Sequence, residues 1–90
     1  MKRAQLRITG DVTGVGYRYW AYTNAKRLGL TGFVRNVENG VVEAVIEGDE
    51  ARVKEMIELC KNGPEVSFVK KVDVIWHEAS GEFYVFEIRH

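Results

Sequence analysis

Residues 32–47 read GFVRNVENGVVEAVIE, two strand-like runs on either side of the dipeptide Asn39-Gly40. Asn-Gly tolerates the positive φ angles that a tight two-residue turn demands, so this stretch predicts a β-hairpin made of residues 32–38 and 41–47. The elements predicted on its two sides then determine the architecture.

The chain before the hairpin predicts a strand, a loop and a helix. Residues 4–10 alternate apolar and polar side chains, which is the period of a half-buried strand. A glycine-rich stretch follows over residues 10–16. From residue 17, apolar side chains recur at intervals of four, four and three, which lines one face of a helix: Tyr17, Ala21, Ala25 and Leu28. Gly29 marks the expected end of this helix.

The chain after the hairpin predicts a second helix and two more strands. The acidic start Gly48-Asp49-Glu50 suits the positive end of a helix dipole, and Asn62-Gly63-Pro64 ends the helix. Its apolar stripe consists of Val53, Met56, Ile57 and Cys60, so we expect Cys60 to belong to the core. Alternating apolar residues then predict a fourth strand with Val72, Val74 and Trp76, and a short fifth with Tyr84, Phe86 and Ile88.

The predicted order is strand, helix, strand, strand, helix and strand, with one extra short strand. Short connections and right-handed crossovers favour an antiparallel sheet with both helices on one face, which is the α+β ferredoxin-like sandwich. The 90 residues contain no visible repeat or linker, so we expect a single domain over residues 1–90. This fold serves many functions and does not decide among them.

Composition excludes several classes of protein. Thirteen basic residues balance thirteen acidic ones, which argues against a broad nucleic-acid or acidic-membrane surface. The single cysteine excludes a disulfide framework and a cysteine-rich metal site. No stretch approaches the roughly 20 apolar residues of a membrane span, and the N-terminus does not resemble a secretory signal. We therefore expect a cytoplasmic protein and a monomer, with edge strands leaving dimerisation open.

Residues 10–18, GDVTGVGYR, form the strongest local feature, a glycine-rich loop between a strand and a helix. The first turn of a helix presents unpaired N–H groups, and glycines let the backbone curl around an anion such as phosphate. The spacing matches neither a dinucleotide fingerprint nor a Walker loop. Arg18 falls where the helix dipole disfavours a cation unless an anion is bound, and its guanidinium suits a phosphoryl group. The alternative is an ordinary loop with a solvated arginine.

Asn36 is the second candidate, because asparagine is depleted in strand interiors. It shares a sheet face with Val34, while Arg35 points the other way. A neutral amide is suited to holding a nucleophilic water; the alternative is a polar residue close to the hairpin turn. His77 and His90 show no partner spacing and are expected at the surface.

Two stretches together resemble the signatures of the acylphosphatase family. Residues 8–18, ITGDVTGVGYR, are similar to the first signature. Residues 32–36, GFVRN, followed by Gly40, Val42 and Gly48, are similar to the second. The resemblance covers essentially the whole chain.

The resemblance implies hydrolysis of an acyl phosphate to a carboxylate and inorganic phosphate. No metal or other cofactor is expected if Arg18 and the loop N–H groups neutralise the phosphoryl charge. The resemblance implies that Arg18 binds the phosphoryl group and that Asn36 orients the attacking water. It assigns the phosphate cradle to the loop Val12, Thr13, Gly14, Val15, Gly16 and Tyr17. The only implied partners are the small-molecule substrate and inorganic phosphate. The sequence departs from the family pattern at Thr13, Tyr17 and Val37, where Gln, Phe and Thr are usual.

Two other classes of protein share features with this chain. RNA-recognition modules have the same order of elements, but they carry aromatic pairs on the inner strands and a basic surface. The inner-strand positions Leu6, Ile8, Val42 and Ala44 carry no aromatic residue. A metal chaperone would need paired cysteines. A domain that binds an acyl or carbamoyl phosphate for a partner, without efficient turnover, remains a third possibility.

Overall fold

The computed structural model describes residues 1–90 and forms one five-stranded sheet with two helices. The elements are β1 (Lys2–Asp11), α1 (Tyr17–Arg27), β2 (Thr31–Glu38), β3 (Val41–Gly48), α2 (Glu50–Asn62), β4 (Phe68–Glu78) and β5 (Phe86–Arg89). The strand order across the sheet is β4-β1-β3-β2-β5. The predicted α+β ferredoxin-like sandwich is confirmed. Neither helix has the length and apolar character that crossing a membrane requires.

Strand β1 lies inside the sheet, where it pairs antiparallel with both β3 and β4. Alternate side chains of β1 are fully buried, namely Ala4, Leu6 and Ile8. Leu6 lies opposite Ala44 on one side and Val74 on the other. A shift of one residue in this pairing would turn all three buried side chains to the other face of the sheet.

The predicted apolar stripes of both helices are confirmed. On α1 the buried residues are Tyr17, Ala21 and Ala25, followed by Leu28 just beyond the helix. On α2 they are Val53, Met56, Ile57 and Cys60. The Tyr17 hydroxyl donates a 2.8 Å hydrogen bond to the Cys60 carbonyl, which joins the two helices. Burial raises the pKa of the Cys60 thiol to about 12, so Cys60 is a core residue without thiolate character.

Strand β5 differs from the expectation of a wholly antiparallel sheet, because it runs parallel to β2. The pairs extend from Gly32 and Phe86 to Arg35 and Arg89. The reason lies in where β4 ends: Glu78 is paired with Lys2, at the end of the sheet where β2 also begins. The connection from β4 to β5 crosses this end of the sheet to the edge beside β2. Strand β5 therefore starts at the same end as β2 and runs in the same direction. Tyr84, predicted in this strand, lies before it and is exposed.

The connection from β4 to β5 is held by the buried carboxylate of Glu47. It accepts hydrogen bonds from Arg3 Nε at 2.6 Å, from the Ser80 N–H at 3.0 Å and from the Gly81 N–H at 3.1 Å. Burial alone would raise the pKa of Glu47, but the Ser80 N–H and hydroxyl, followed by Arg3 and Gly81, lower it to about 2. These bonds fix the path by which β5 reaches its edge of the sheet.

We predict that Glu47 makes the stability of the fold fall at acidic pH. Its pKa is lower in the folded chain than in the unfolded chain, so its stabilising effect is complete above the unfolded pKa. That effect disappears as pH falls from about 4.3 towards about 2, with a magnitude on the order of 3 kcal/mol. Urea unfolding of Glu47→Gln should therefore show a weaker loss of stability on acidification than the wild-type chain. Glu58→Gln, an exposed change on α2, serves as the control. Equal acid sensitivity of Glu47→Gln and the wild type would contradict the prediction.

Candidate active site

The glycine-rich loop after β1 is supported by the turn between β2 and β3. The Gly10 N–H donates to the Gly40 carbonyl at 3.0 Å. A Cβ at Gly10 would lie 2.2 Å from the Phe68 carbonyl oxygen, so this close approach of backbones requires glycine. Thr13 Oγ1 donates to Asn39 Oδ1 at 2.9 Å and accepts from the Gly40 N–H at 3.1 Å. Thr13 therefore anchors the loop to the turn.

The loop backbone presents a run of free N–H groups. Gly14 and Gly16 have φ angles of 74° and 79°, in the left-handed region that favours glycine. Gly16 is the N-cap of α1, and the first helical hydrogen bond runs from the Trp20 N–H to its carbonyl. Outside the helices and strands, no backbone hydrogen bond has its donor between residues 12 and 19. Consecutive free N–H groups in such a curve form an anion-binding concavity.

Arg18 lies in the first turn of α1, as expected, and its side chain is in no ion pair. Its Nη1 donates to the Arg89 carbonyl at 3.2 Å and lies 3.2 Å from His90 Nδ1. By contrast, Arg3 and Arg35 contact carboxylates. A cation without a carboxylate partner adds to the positive potential of the helix N-terminus. Together, the Arg18 guanidinium and the N-terminus of α1 favour an anion at this position.

Asn36 lies on β2 where the pairing with β3 becomes irregular. It is opposite Val42, and the register shifts before Glu38, so Val37 has no direct partner. The Asn36 Oδ1 atom is buried and has no hydrogen-bond partner. A buried acceptor left without a donor costs about 1–3 kcal/mol, and such atoms are rare in native proteins. A donor that arrives with a ligand would satisfy it.

These elements meet at one pocket of about 260 Å³. Its lining consists of Val12, Gly14, Gly16, Tyr17, Arg18, Tyr19, Asn36, Ile88 and His90. Two of the expected loop residues are not in this lining: Thr13 anchors the loop, and Val15 packs against the core. The structure therefore brings Arg18, Asn36 and most of the loop together.

A larger depression of about 600 Å³ lies near the other end of β1. Its two lysines are already paired with acids, Lys2 with Glu78 and Lys54 with Glu50. Neither lysine is free to bind an anion, and two glutamates line the same depression, so the smaller pocket is the better candidate.

His90 and Ile88 line the pocket, although the sequence pattern assigned them no role in it. His90 is exposed, as expected, but it lies beside Arg18. Only the parallel pairing of β5 with β2 brings it there, and no spacing in the sequence signals that pairing. His77 is exposed on β4.

Comparison with known proteins gives one family. The family model for acylphosphatase matches residues 4–88. An acylphosphatase of Thermococcus kodakarensis is 48% identical over 79 residues, which cover 88% of this chain and 87% of that protein. One from Acaryochloris marina is 51% identical over 81 residues, covering 90% of this chain and 86% of that protein.

Solved structures agree with the sequence comparison. The crystal structure of an acylphosphatase from Bacillus subtilis has a TM-score of 0.95 at 31% identity and covers 100% of both chains. Full-length HypF, in a phosphate- and nucleotide-bound form, has a TM-score of 0.89 at 29% identity. That match covers 99% of this chain and 12% of HypF, so a similar domain also occurs inside a larger protein.

We predict that Thr13→Val loosens the loop and weakens binding of inorganic phosphate several-fold. Valine preserves the shape but removes both hydrogen bonds to the turn, with a loss of about 1 kcal/mol in stability. Phosphate titration followed by calorimetry measures the binding. Thr23→Val, which removes a hydroxyl bonded only within α1, is the matched control. Unchanged phosphate affinity in Thr13→Val would show that the turn does not support the loop.

Proposed function

The chain belongs to the acylphosphatase family, and on that premise we propose how it hydrolyses an acyl phosphate to a carboxylate and inorganic phosphate. Arg18 and the backbone N–H groups of residues 12–17 hold the phosphoryl group, and Asn36 orients the attacking water. The observation that carries the proposal is the unpartnered Asn36 Oδ1 in the same pocket as an arginine without an ion pair.

Phosphoryl binding rests on local charge. The chain has no net charge, so attraction of a phosphate must come from a particular place on its surface. The N-terminus of α1, the free N–H groups of the loop and the Arg18 guanidinium supply positive potential at one pocket. A guanidinium can form two parallel hydrogen bonds to phosphoryl oxygens and stays charged at any working pH.

The chemical step needs little help from a base. The leaving group is a carboxylate, and phosphoryl transfer passes through a loose transition state with charge on the equatorial oxygens. The water oxygen attacks phosphorus opposite the acyl oxygen. The P–O bond to the acyl group breaks, the carboxylate leaves with the electron pair, and the water proton passes to the phosphate product or solvent. Asn36 Oδ1 accepts a hydrogen bond from the water and holds it in line, and no carboxylate side chain lines the pocket.

In this proposal the charge of the transition state is stabilised by Arg18 and the loop amides, without a metal ion. Phosphate release from benzoyl phosphate should be equally fast with and without EDTA. Loss of release in EDTA would contradict the metal-free site. Phosphate binding without any release would instead favour a domain that holds an acyl phosphate for a partner.

We further propose that the protein works as a monomer in the cytoplasm on small-molecule substrates. The zero net charge gives it no broad surface for nucleic acid, and its one cysteine is buried as a free thiol.

Asn36→Ala should lower kcat for benzoyl phosphate by about 10²-fold, the scale of misplacing a reacting group in the active site. Since the proposed contact is to water, the inhibition constant of inorganic phosphate should change little. Steady-state kinetics with phosphate as the competing ligand measures both quantities. Asn62→Ala, at the end of α2, is the control. Near-normal turnover in Asn36→Ala would eliminate the proposed role.

Arg18→Ala should raise KM and the phosphate inhibition constant and also lower kcat, because the guanidinium contacts the phosphoryl group throughout the reaction. Arg18→Lys should restore part of the binding, since it keeps the charge but loses the planar pair of donors. Arg27→Ala is a matched control, because Arg27 is on the same helix and is also outside the ion pairs. Equal effects of Arg18→Ala and Arg27→Ala would mean that only general charge matters.

A further inference from the structure

The end of β5 lies beside both proposed catalytic residues. Arg35 of β2 is paired with Arg89 of the parallel β5, so the next residues along these strands are Asn36 and His90. Both line the pocket that contains Arg18. The pairing of β5 with β2 therefore brings an imidazole to the phosphoryl site.

The contacts of Arg18 divide its guanidinium into two parts. A guanidinium carries five N–H donors, two of them on Nη1. Nη1 lies 3.2 Å from the Arg89 carbonyl oxygen and 3.2 Å from His90 Nδ1, so both of its donors have acceptors when the imidazole proton is on Nε2. The Nε and Nη2 donors remain, and these form an edge that makes two parallel hydrogen bonds to an oxyanion.

Nothing else on the surface holds this guanidinium in one orientation. Arg18 is in no ion pair, whereas its neighbour in space, Arg89, pairs with Glu87 and lies 4.0 Å from the centre of the Phe33 ring. The Arg89 side chain is therefore occupied elsewhere, and only its carbonyl reaches Arg18. The second contact of Nη1 is the imidazole of His90.

We propose that His90 is a positioning residue of the phosphoryl site. Its neutral imidazole accepts a hydrogen bond from Arg18 Nη1 through Nδ1, with the imidazole proton on Nε2. Together with the Arg89 carbonyl, it directs the Nε and Nη2 edge of Arg18 to the phosphoryl oxygens. This role rests on the proposed function, in which Arg18 binds the phosphoryl group.

The test uses inorganic phosphate as the probe and titration calorimetry of the full chain as the measurement. His90→Leu should weaken phosphate binding about fivefold, the scale of one lost hydrogen bond at a partly exposed site. His90→Asn should restore binding to within about twofold, because the amide oxygen can occupy the place of Nδ1 and accept the same hydrogen bond. His77→Leu, a change at the other histidine, should leave binding unchanged. Failure of His90→Asn to restore binding would overturn the proposal.

A double-mutant comparison separates positioning from direct contact. In an Arg18→Lys background the planar donor edge is absent, so adding His90→Leu should change phosphate affinity by less than about twofold. A fivefold loss in that background as well would mean that His90 contacts phosphate directly, which would overturn the positioning role. Benzoyl phosphate kinetics tests the proposed function separately. If the wild-type chain binds inorganic phosphate but does not hydrolyse benzoyl phosphate, the proposed function is refuted. The comparison of phosphate affinities among the variants still tests the role of His90.

Discussion

The register of β1 between β3 and β4 is the constraint on which the rest of the structure depends. Its alternating side chains are fully buried beneath the helices, so the strand has one register in which its apolar face meets the core. That register places Gly10 beside Gly40, where their backbones are joined by a hydrogen bond. The loop after β1 must therefore begin next to the hairpin turn and close to Asn36. The core and the pocket thus have a common structural origin.

The pocket shows how a chain without net charge concentrates positive potential. Most of its arginines form ion pairs with glutamates on the sheet and on helix α2, so their charges are locally neutralised. Arg18 is an exception at the one place where a helix N-terminus and free loop amides also face solvent. The selectivity of such a site comes from the direction of its donors rather than from the field of the whole protein.

The sequence predicted the parts that depend on local periodicity. The two buried helix stripes, the hairpin around Asn39-Gly40 and the position of Arg18 in a first helical turn all follow from spacing within a few residues. The direction of β5 did not, because alternation over a short strand is the same for parallel and antiparallel pairing. The role of Glu47 and the nearness of His90 to Arg18 depend on the connection from β4 to β5, so the sequence did not predict them either. Neither the register shift after Asn36 nor its unpartnered Oδ1 atom could be predicted, because both depend on how β2 pairs and packs rather than on the local residue pattern.

The path of β5 also has a consequence for how the chain folds. The contacts of Arg18 with Arg89 and His90 join positions 71 and 72 residues apart in sequence. Strand β1 likewise pairs with β4, which lies near the other end of the chain. Long loops must close before such pairs form, so this topology has a high contact order and folds more slowly than a helical bundle of similar length. The pocket is complete only when the most distant segments have met. Under the proposed function, phosphate bound there would stabilise the fully folded chain against partly folded states.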